Sequence, residues 1–319
     1  MVHTIKLLIT IKIKEVIILQ EIHMRLIHLS RCQGMSRKRL QTIMQQDPSL
    51  RKIYSFSPKT LTSCLSVPVK TALSIYKDLK NEQLIQSVIA DVKQYSILTI
   101  MDTYYPPQLK AIKDPPIVLY MLGDTSLLTH TPSLSVIGTR KPSKEALEKT
   151  KYITQPLAEA NWVIISGMAR GIDSYAHRTS LLHNGKTIAV LGGGFQHVYP
   201  RENIPLFKEI VKKGLIVSEY PPSLPPKRHH FPERNRIISG LSFGTLVIEA
   251  TKRSGTLITV DQALDQGREV YAVPGSPLIP QTIGCNDMIQ EGAKLVQHAS
   301  DIAEDWETGG IHFRQINMN

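Results

Sequence analysis

The chain has 319 residues, 42% of them apolar and 20% charged, and carries a formal net charge of +11. This length supports one substantial domain with one or two small ones, and the composition is ordinary for a soluble globular protein and argues against disorder. The surplus of Lys and Arg favours a polyanionic partner, because clustered cations displace counterions from phosphates.

The first stretch, MVHTIKLLITIKIKEVIILQ, is rich in apolar residues, but Lys6, Lys12, Lys14 and Glu15 interrupt it. No run reaches the roughly 20 apolar residues that a spanning helix needs, and no small-residue cleavage site follows. No membrane segment is expected, and residues 1–23 read as an extension before an alternative start at Met24. Residues 24–82 alternate short helical patterns with turn signals: MRLIHLSRCQG, SRKRLQTIMQQ, SPKTLTSCLS and SVPVKTALSIYKDLK. Ser36 and Ser66 stand where N-caps would and Gly34 where a helix would stop, so a small all-helical domain is expected. Cys32, Cys64 and Cys285 are odd in number and form no C-x-x-C pair, so neither a disulfide framework nor structural zinc is expected, and a cytoplasmic location fits.

Residues 83–132 form a connector with two Pro-Pro pairs, which mark extended or turning chain. The main domain is expected over residues 133–300. Its strand-prone runs are SLSVIG, WVIIS, TIAVLG, LIVSEY, GTLVIEA and REVYAVPG. Amphipathic stretches over Glu145–Ala160, Asp173–His183, Ile204–Lys213, Arg234–Ser242 and Leu257–Gln266 separate them. Strands alternating with crossover helices imply an α/β domain, a doubly wound parallel sheet. Asp287–Trp306 reads as helix, and residues 301–319 as a polar tail.

Such sheets bind ligands outside the carboxyl ends of their strands. Those ends read Gly138-Thr139-Arg140-Lys141, Ser166-Gly167-Met168-Ala169-Arg170-Gly171, Gly192-Gly193-Gly194, Ser218-Glu219-Tyr220, Glu249-Ala250-Thr251-Lys252-Arg253-Ser254-Gly255-Thr256 and Val273-Pro274-Gly275-Ser276. Glycine lets backbone approach a ligand, and a following helix aims free N–H groups at an anion. With Arg and Lys interspersed, the loops form an electropositive rim for a nucleotide or nucleic acid. The first strand lacks G-x-G-x-x-G, and Lys186-Thr187 lacks the earlier glycine of a P-loop, so neither NAD nor ATP is expected as a cofactor. Ser166, Asp173 and His177 do not form a hydrolytic triad, because no nucleophile elbow surrounds the serine. In HHFPERNRIISGL, adjacent His229 and His230 with Glu233 supply too few ligands for a metal. Pro232 suits a first helical turn, which places Arg234, Asn235 and Arg236 near a helix start.

Together SVIGTRKPS, ISGMARGIDSYAH, AVLGGGFQHVYPREN, IVSEYPP, HHFPERNRIISGLS, LVIEATKRSGTLIT, VYAVPGS and GCNDMIQEGA resemble the DNA-processing protein A family (DprA, also called Smf), colinearly from Ile97 to Val296. The helical module resembles that family's sterile-alpha-motif-like (SAM-like) domain. The resemblance implies a Rossmann-like domain that binds single-stranded DNA, forms a homodimer, and loads RecA during natural transformation while displacing single-strand-binding protein. It implies no catalytic residue. Carried over by motif, Arg140 would contact phosphate, and Arg228, Phe231, Arg234, Asn235 and Arg236 would add backbone and base contacts. Ser166, Gly167, Ser254, Gly255 and Thr256 would line the same pocket, with Arg170 and Lys252 at its edge. Dimer and RecA contacts would fall over about Glu269 to Val296. Many members append a winged helix, for which too few residues follow Val296.

Phe231 and Tyr220 are candidate platforms for stacked bases. The alternative is a Rossmann-like nucleotide hydrolase of the phosphoribohydrolase type, with Glu249 and RSGTLIT as a partial echo of its P-G-G-x-G-T-x-x-E loop. The glycine pair and the following glutamate of that loop are missing here.

Overall fold

Helix ends in the first part of the chain are set by serine and proline. The computed structural model describes residues 20–309, so most of the expected extension at 1–23, and the end of the 301–319 tail, lie outside the described residues. The described residues divide into two compact units, one of those up to Thr103 with Pro116–Val118 added, the other of Tyr104–Pro115 with those from Leu119 on.

The first unit is helical. A helix through residues 20–31 (α1) is followed by α2 (Arg37–Gln46), α3 (Pro58–Leu65), α4 (Val69–Leu79) and α5 (Glu82–Gln94), then a strand, β1 (Ser96–Thr99). Ser36 caps α2 by accepting from the Arg39 N–H. Ser66 departs from expectation: it ends α3 in the left-handed conformation, with φ 49°. The residue before a proline avoids helical geometry, so α4 starts only after Pro68. Leu26, Leu29, Leu40, Leu61 and Ile75 form the buried interior.

The second unit is α/β. Its strands are β2 (Val118–Gly123, of which Leu119–Gly123 belong to this unit), β3 (Ser133–Ile137), β4 (Val163–Ser166), β5 (Lys186–Leu191), β6 (Leu215–Ser218), β7 (Gly244–Val247), β8 (Glu269–Ala272) and β9 (Lys294–Leu295). They lie in the order β2-β6-β5-β4-β3-β7-β8-β9. From β6 to β9 every pairing is parallel, and β2 alone runs antiparallel to its neighbour, with Tyr120 opposite Ser218. The chain winds one way from β3 to β6 and the other way from β7 to β9, which places the topological switch point beside β3. The helices are α6 (Pro107–Lys110), α7 (Ala146–Glu159), α8 (Ile172–Leu182), α9 (Ile204–Lys213), α10 (His230–Gly240), α11 (Thr256–Asp265), α12 (Pro280–Gln290) and α13 (Ala299–Gly309).

Three differences from the sequence reading have local causes. The connector holds α5, β1, α6 and β2, and its Pro-Pro pairs lie at element starts: Pro107 opens α6 and Pro116 precedes β2. The expected continuous Asp287–Trp306 helix is broken at Gly292, whose φ of +107° favours glycine, and the Ala293 N–H closes the end on the Met288 carbonyl at 2.9 Å. Finally α10 starts at His230, four residues before the expected Arg234. The Lys227 N–H reaches His230 Nδ1 at 3.2 Å and secures that earlier start.

The core of the second unit packs β3, β4 and β7 against α7, α8 and α13, with Leu134, Ile153, Ile164 and Leu246 fully or almost fully buried. Trp306 meets Phe243 edge-on at 5.2 Å and Trp162 at 6.0 Å between ring centroids. Next to the switch point, Ser135 Oγ donates to Thr245 Oγ1 at 2.8 Å, cross-linking β3 to β7. No helix among the described residues is long and apolar enough to cross a membrane.

Candidate nucleic-acid interface

The loops leaving β3 and β7, on either side of the switch point, border a cavity of about 760 Å3. An adjoining cavity of about 250 Å3 shares Arg140, Lys141, Tyr199, Phe231 and Arg234 with it. Of the residues expected at the site, Arg140, Arg228, Phe231, Arg234, Asn235, Ser254, Gly255 and Thr256 line the larger cavity. Gly167 and Arg170 line the smaller one. Residues of α10, of the start of α11 and of four loops, running from Arg140 to Thr256, are thus drawn into one concave edge.

Arg234 is the deepest cation, at 3% exposure. Its Nη1 donates to the Gly167 carbonyl at 2.6 Å and to the Val190 carbonyl, and its Nε donates to Asn235 Oδ1 at 3.1 Å. Burial pushes its pKa down to about 10, against the opposing pull of Asp173. Burial also holds the Asp173 carboxyl above the usual range, despite Arg234 and the Ala169 N–H it accepts at 3.3 Å. Arg234 therefore places positive charge beneath the cavity wall and ties the loop that leaves β4 to β5, through the Gly167 and Val190 carbonyls.

Glycine makes that possible. A Cβ at Gly167 would overlap the Arg234 guanidinium, and one at Gly192 would come within 2.9 Å of the Phe231 ring. The Arg234 head is fixed by hydrogen bonds and cannot swing aside as a surface arginine would. Gly167→Ala is expected to destabilise the protein by about 1–3 kcal/mol through overpacking; an unchanged urea midpoint would show that the guanidinium has another place to go.

Above this floor sit two aromatic rings. Tyr199 and Phe231 lie 5.7 Å apart, tilted by 55°, and the Arg140 guanidinium carbon is 5.7 Å from the Phe231 centroid. Tyr199 is 52% exposed, so a flat polar-edged surface faces solvent within the cavity wall. Arg170 at the rim is engaged with Glu202, Nη2 to Oε2 at 2.8 Å. Asn203 donates to the carbonyls of Met168 and Ala169 at 2.9 and 3.3 Å and so fixes the loop that carries Arg170.

Four expected residues are placed elsewhere. Ser166 is fully buried and its hydroxyl donates to the Val136 carbonyl at 2.6 Å, into the sheet. Arg236 lines neither cavity; its Nη2 donates to both Glu219 carboxylate oxygens at 2.8 Å and its Nε lies 3.6 Å from Asp114 Oδ2. Lys252 is exposed on the loop beside Thr251 without lining either cavity. Tyr220, a candidate platform, is instead stacked on His230 at 4.0 Å and donates to Glu233 at 3.0 Å. Sequence reading missed Tyr199, whose only signal was its place after the Gly192–Gly194 turn, and it did not assign Lys141 a contact.

The residues weighed for other chemistries are engaged in structural contacts. His177 is buried against Thr187 Oγ1 at 2.6 Å, away from the Ser166 hydroxyl's partner. Among the described residues no three His, Cys, Asp or Glu gather to hold a metal ion. Glu249, the acid of the hydrolase alternative, is fully buried and bonded to Ser143 and Lys149, and it lines neither cavity.

The family model described as DNA recombination-mediator protein A matches residues 96–307, a span that contains every residue lining the two cavities. The chain belongs to this family. Among DNA recombination-mediator A relatives, the DNA processing protein DprA of Bacillus subtilis (strain 168) is 43% identical over 230 residues, 72% of this chain and 77% of that protein. The protein Smf of Escherichia coli (strain K12) is 43% identical over 207 residues, 65% of this chain and 55% of its own length. Of solved structures in the family, DprA from Streptococcus pneumoniae superposes with a TM-score of 0.78 at 33% identity, covering 89% of this chain and 97% of that one. DprA from Helicobacter pylori superposes with a TM-score of 0.61 at 28% identity, covering 68% and 97%, and is described as having a single-stranded DNA binding mode.

Proposed function

We propose that this edge of the sheet binds single-stranded DNA without sequence preference and without chemical turnover. The observation that carries the reading is the meeting of Arg140, Arg228 and Arg234 with the Tyr199 and Phe231 rings around one cavity at the strand ends. Single-strand binders combine a cationic groove for the backbone with aromatic faces for bases, at about 1–3 kcal/mol per stacked base. Arginine suits the first task because its planar fork donates two hydrogen bonds to a phosphate. The single-stranded DNA binding described for the Helicobacter pylori relative supports the assignment.

The test is binding of a labelled oligothymidine across a salt series. Affinity of the parent protein should fall linearly with salt on logarithmic axes. Arg140→Ala should weaken it about tenfold and reduce the slope by about 0.7, the value for one phosphate contact on a single strand. Binding that ignores salt, or an Arg140→Ala variant equal to the parent, would overturn the reading. Arg234→Ala is the poorer probe, since a buried guanidinium that ties two strands together also supports the fold.

The finer role we propose follows the family: a cytoplasmic homodimer that protects incoming single strands, loads RecA onto them during natural transformation, and displaces single-strand-binding protein. The dimer and RecA contacts are assigned to about Glu269 to Val296, where Leu278 and Leu295 are exposed. Sedimentation of the protein alone and co-purification with RecA test those two assignments.

A further inference from the structure

Glu249 follows β7, the strand beside β3, and its carboxylate is fully buried at 0% exposure. A buried carboxylate is costly unless its oxygens are satisfied. Here Oε2 accepts the Ser143 N–H at 2.8 Å, and Oε1 accepts the Ser143 hydroxyl at 2.5 Å and Lys149 Nζ at 3.2 Å. The Glu249 backbone carbonyl accepts the Thr139 N–H at 2.8 Å. Arg140, Lys141 and Pro142 are therefore strung between two anchors, Thr139 and Ser143, both tied to one residue. Thr139 Oγ1 also accepts the Lys141 N–H at 3.2 Å, and the ring of Pro142 fixes its own φ. An apolar residue at 249 would fill the same space but would leave the Ser143 N–H without this acceptor.

The cations carried by the loop are left for a ligand. Arg140 and Lys141 are exposed, line both cavities, and among the described residues have no acidic group within ion-pair distance. A loop already held in its bound form loses less conformational freedom when a strand arrives, and affinity rises accordingly.

We propose that Glu249 is a positioning residue for phosphate capture: from inside the fold its carboxylate sets the Thr139–Ser143 loop so that Arg140 and Lys141 meet the DNA backbone ready-formed. The inference rests on the DNA-binding reading above, and the experiment separates the two.

Oligothymidine affinity is measured across the salt series for Glu249→Gln and Ser143→Ala, each in the parent protein and in an Arg140→Ala/Lys141→Ala background, with a melting curve for every protein. Ser143→Ala keeps the buried carboxylate and decides the matter if Glu249→Gln does not fold. In the parent, each change should weaken binding about five- to tenfold. In the background lacking both cations, each should have no further effect, because the loop then presents nothing to position. Equal losses in both backgrounds, or no loss in the parent, overturn this inference alone. Salt-independent binding by the parent overturns it together with the DNA reading.

Discussion

Arg236→Ala is expected to lower the melting temperature of the α/β unit by on the order of 10 °C while leaving the salt dependence of oligonucleotide binding unchanged. The Arg236 and Glu219 side chains are 7% and 10% exposed, joined through a single guanidinium nitrogen that bonds both carboxylate oxygens. Asp114 lies on the other side, from the segment that carries α6. Removing one member of a buried ion pair costs about 3–5 kcal/mol, because the remaining charge stays out of water; for a unit of this size that corresponds to several degrees per kcal/mol. Arg236 lies outside both cavities, so no phosphate contact is lost. A melting shift of a degree or two would show that the pair does not brace the fold. A shallower salt slope in the folded variant would restore Arg236 to the DNA edge.

The second large effect is acid instability that begins near neutral pH. Burial pushes the His177 pKa down to about 3, and the nearby Arg234 charge adds to the push. Thr187 Oγ1 donates to the Ile164 carbonyl, so it accepts from His177 Nδ1–H, and Nε2 is left as the position a second proton would have to occupy. In the unfolded chain the same imidazole takes up a proton below about 6.5. Between about pH 6.5 and 3 the unfolded state therefore binds more protons than the folded state. The contribution of a neutral His177 is fully present above that window and falls by about 1.4 kcal/mol per pH unit within it. At pH 4.5 this amounts to roughly 3 kcal/mol. His28 and His230 are shifted down as well, each chiefly by burial, and steepen the same limb. Urea unfolding at pH 7.5, 6.0 and 4.5 isolates His177 as the difference between parent and His177→Gln. The variant should start less stable and lose less on acidification; parallel curves would mean that His177 is not the group that titrates.

Strands β3, β4 and β5 were legible because their β-branched runs end in glycine, and glycine appears there for a reason the structure shows: Gly138, Gly167 and Gly192 each sit where a Cβ would strike a neighbouring element. The antiparallel β2 was hidden by the prolines before it, Pro115 and Pro116, which mark where chain turns but not what it pairs with afterwards. At the site, the grouping of Arg234 with Arg236 ignored helical geometry. Two residues apart on a helix means about 200° of rotation, so only one of them could face the cavity. Strand alternation likewise sends Ser166 and Gly167 in different directions. Tyr199 was beyond reach because the long loop between β5 and α9 returns to the cavity with no periodicity to announce it.

The reversed direction of β2 supplies a handle for measurement. Its last residue, Gly123, pairs with Leu215 at the start of β6, so the turn over Thr125–Thr129 emerges at the end of the sheet opposite the cavities. Thr129 is exposed there. A fluorophore attached through a cysteine at that position would report tumbling or dimer formation from a site remote from any bound strand. Cys64 is exposed whereas Cys32 and Cys285 are buried, so replacing one native thiol leaves a single reactive sulfur for the dye.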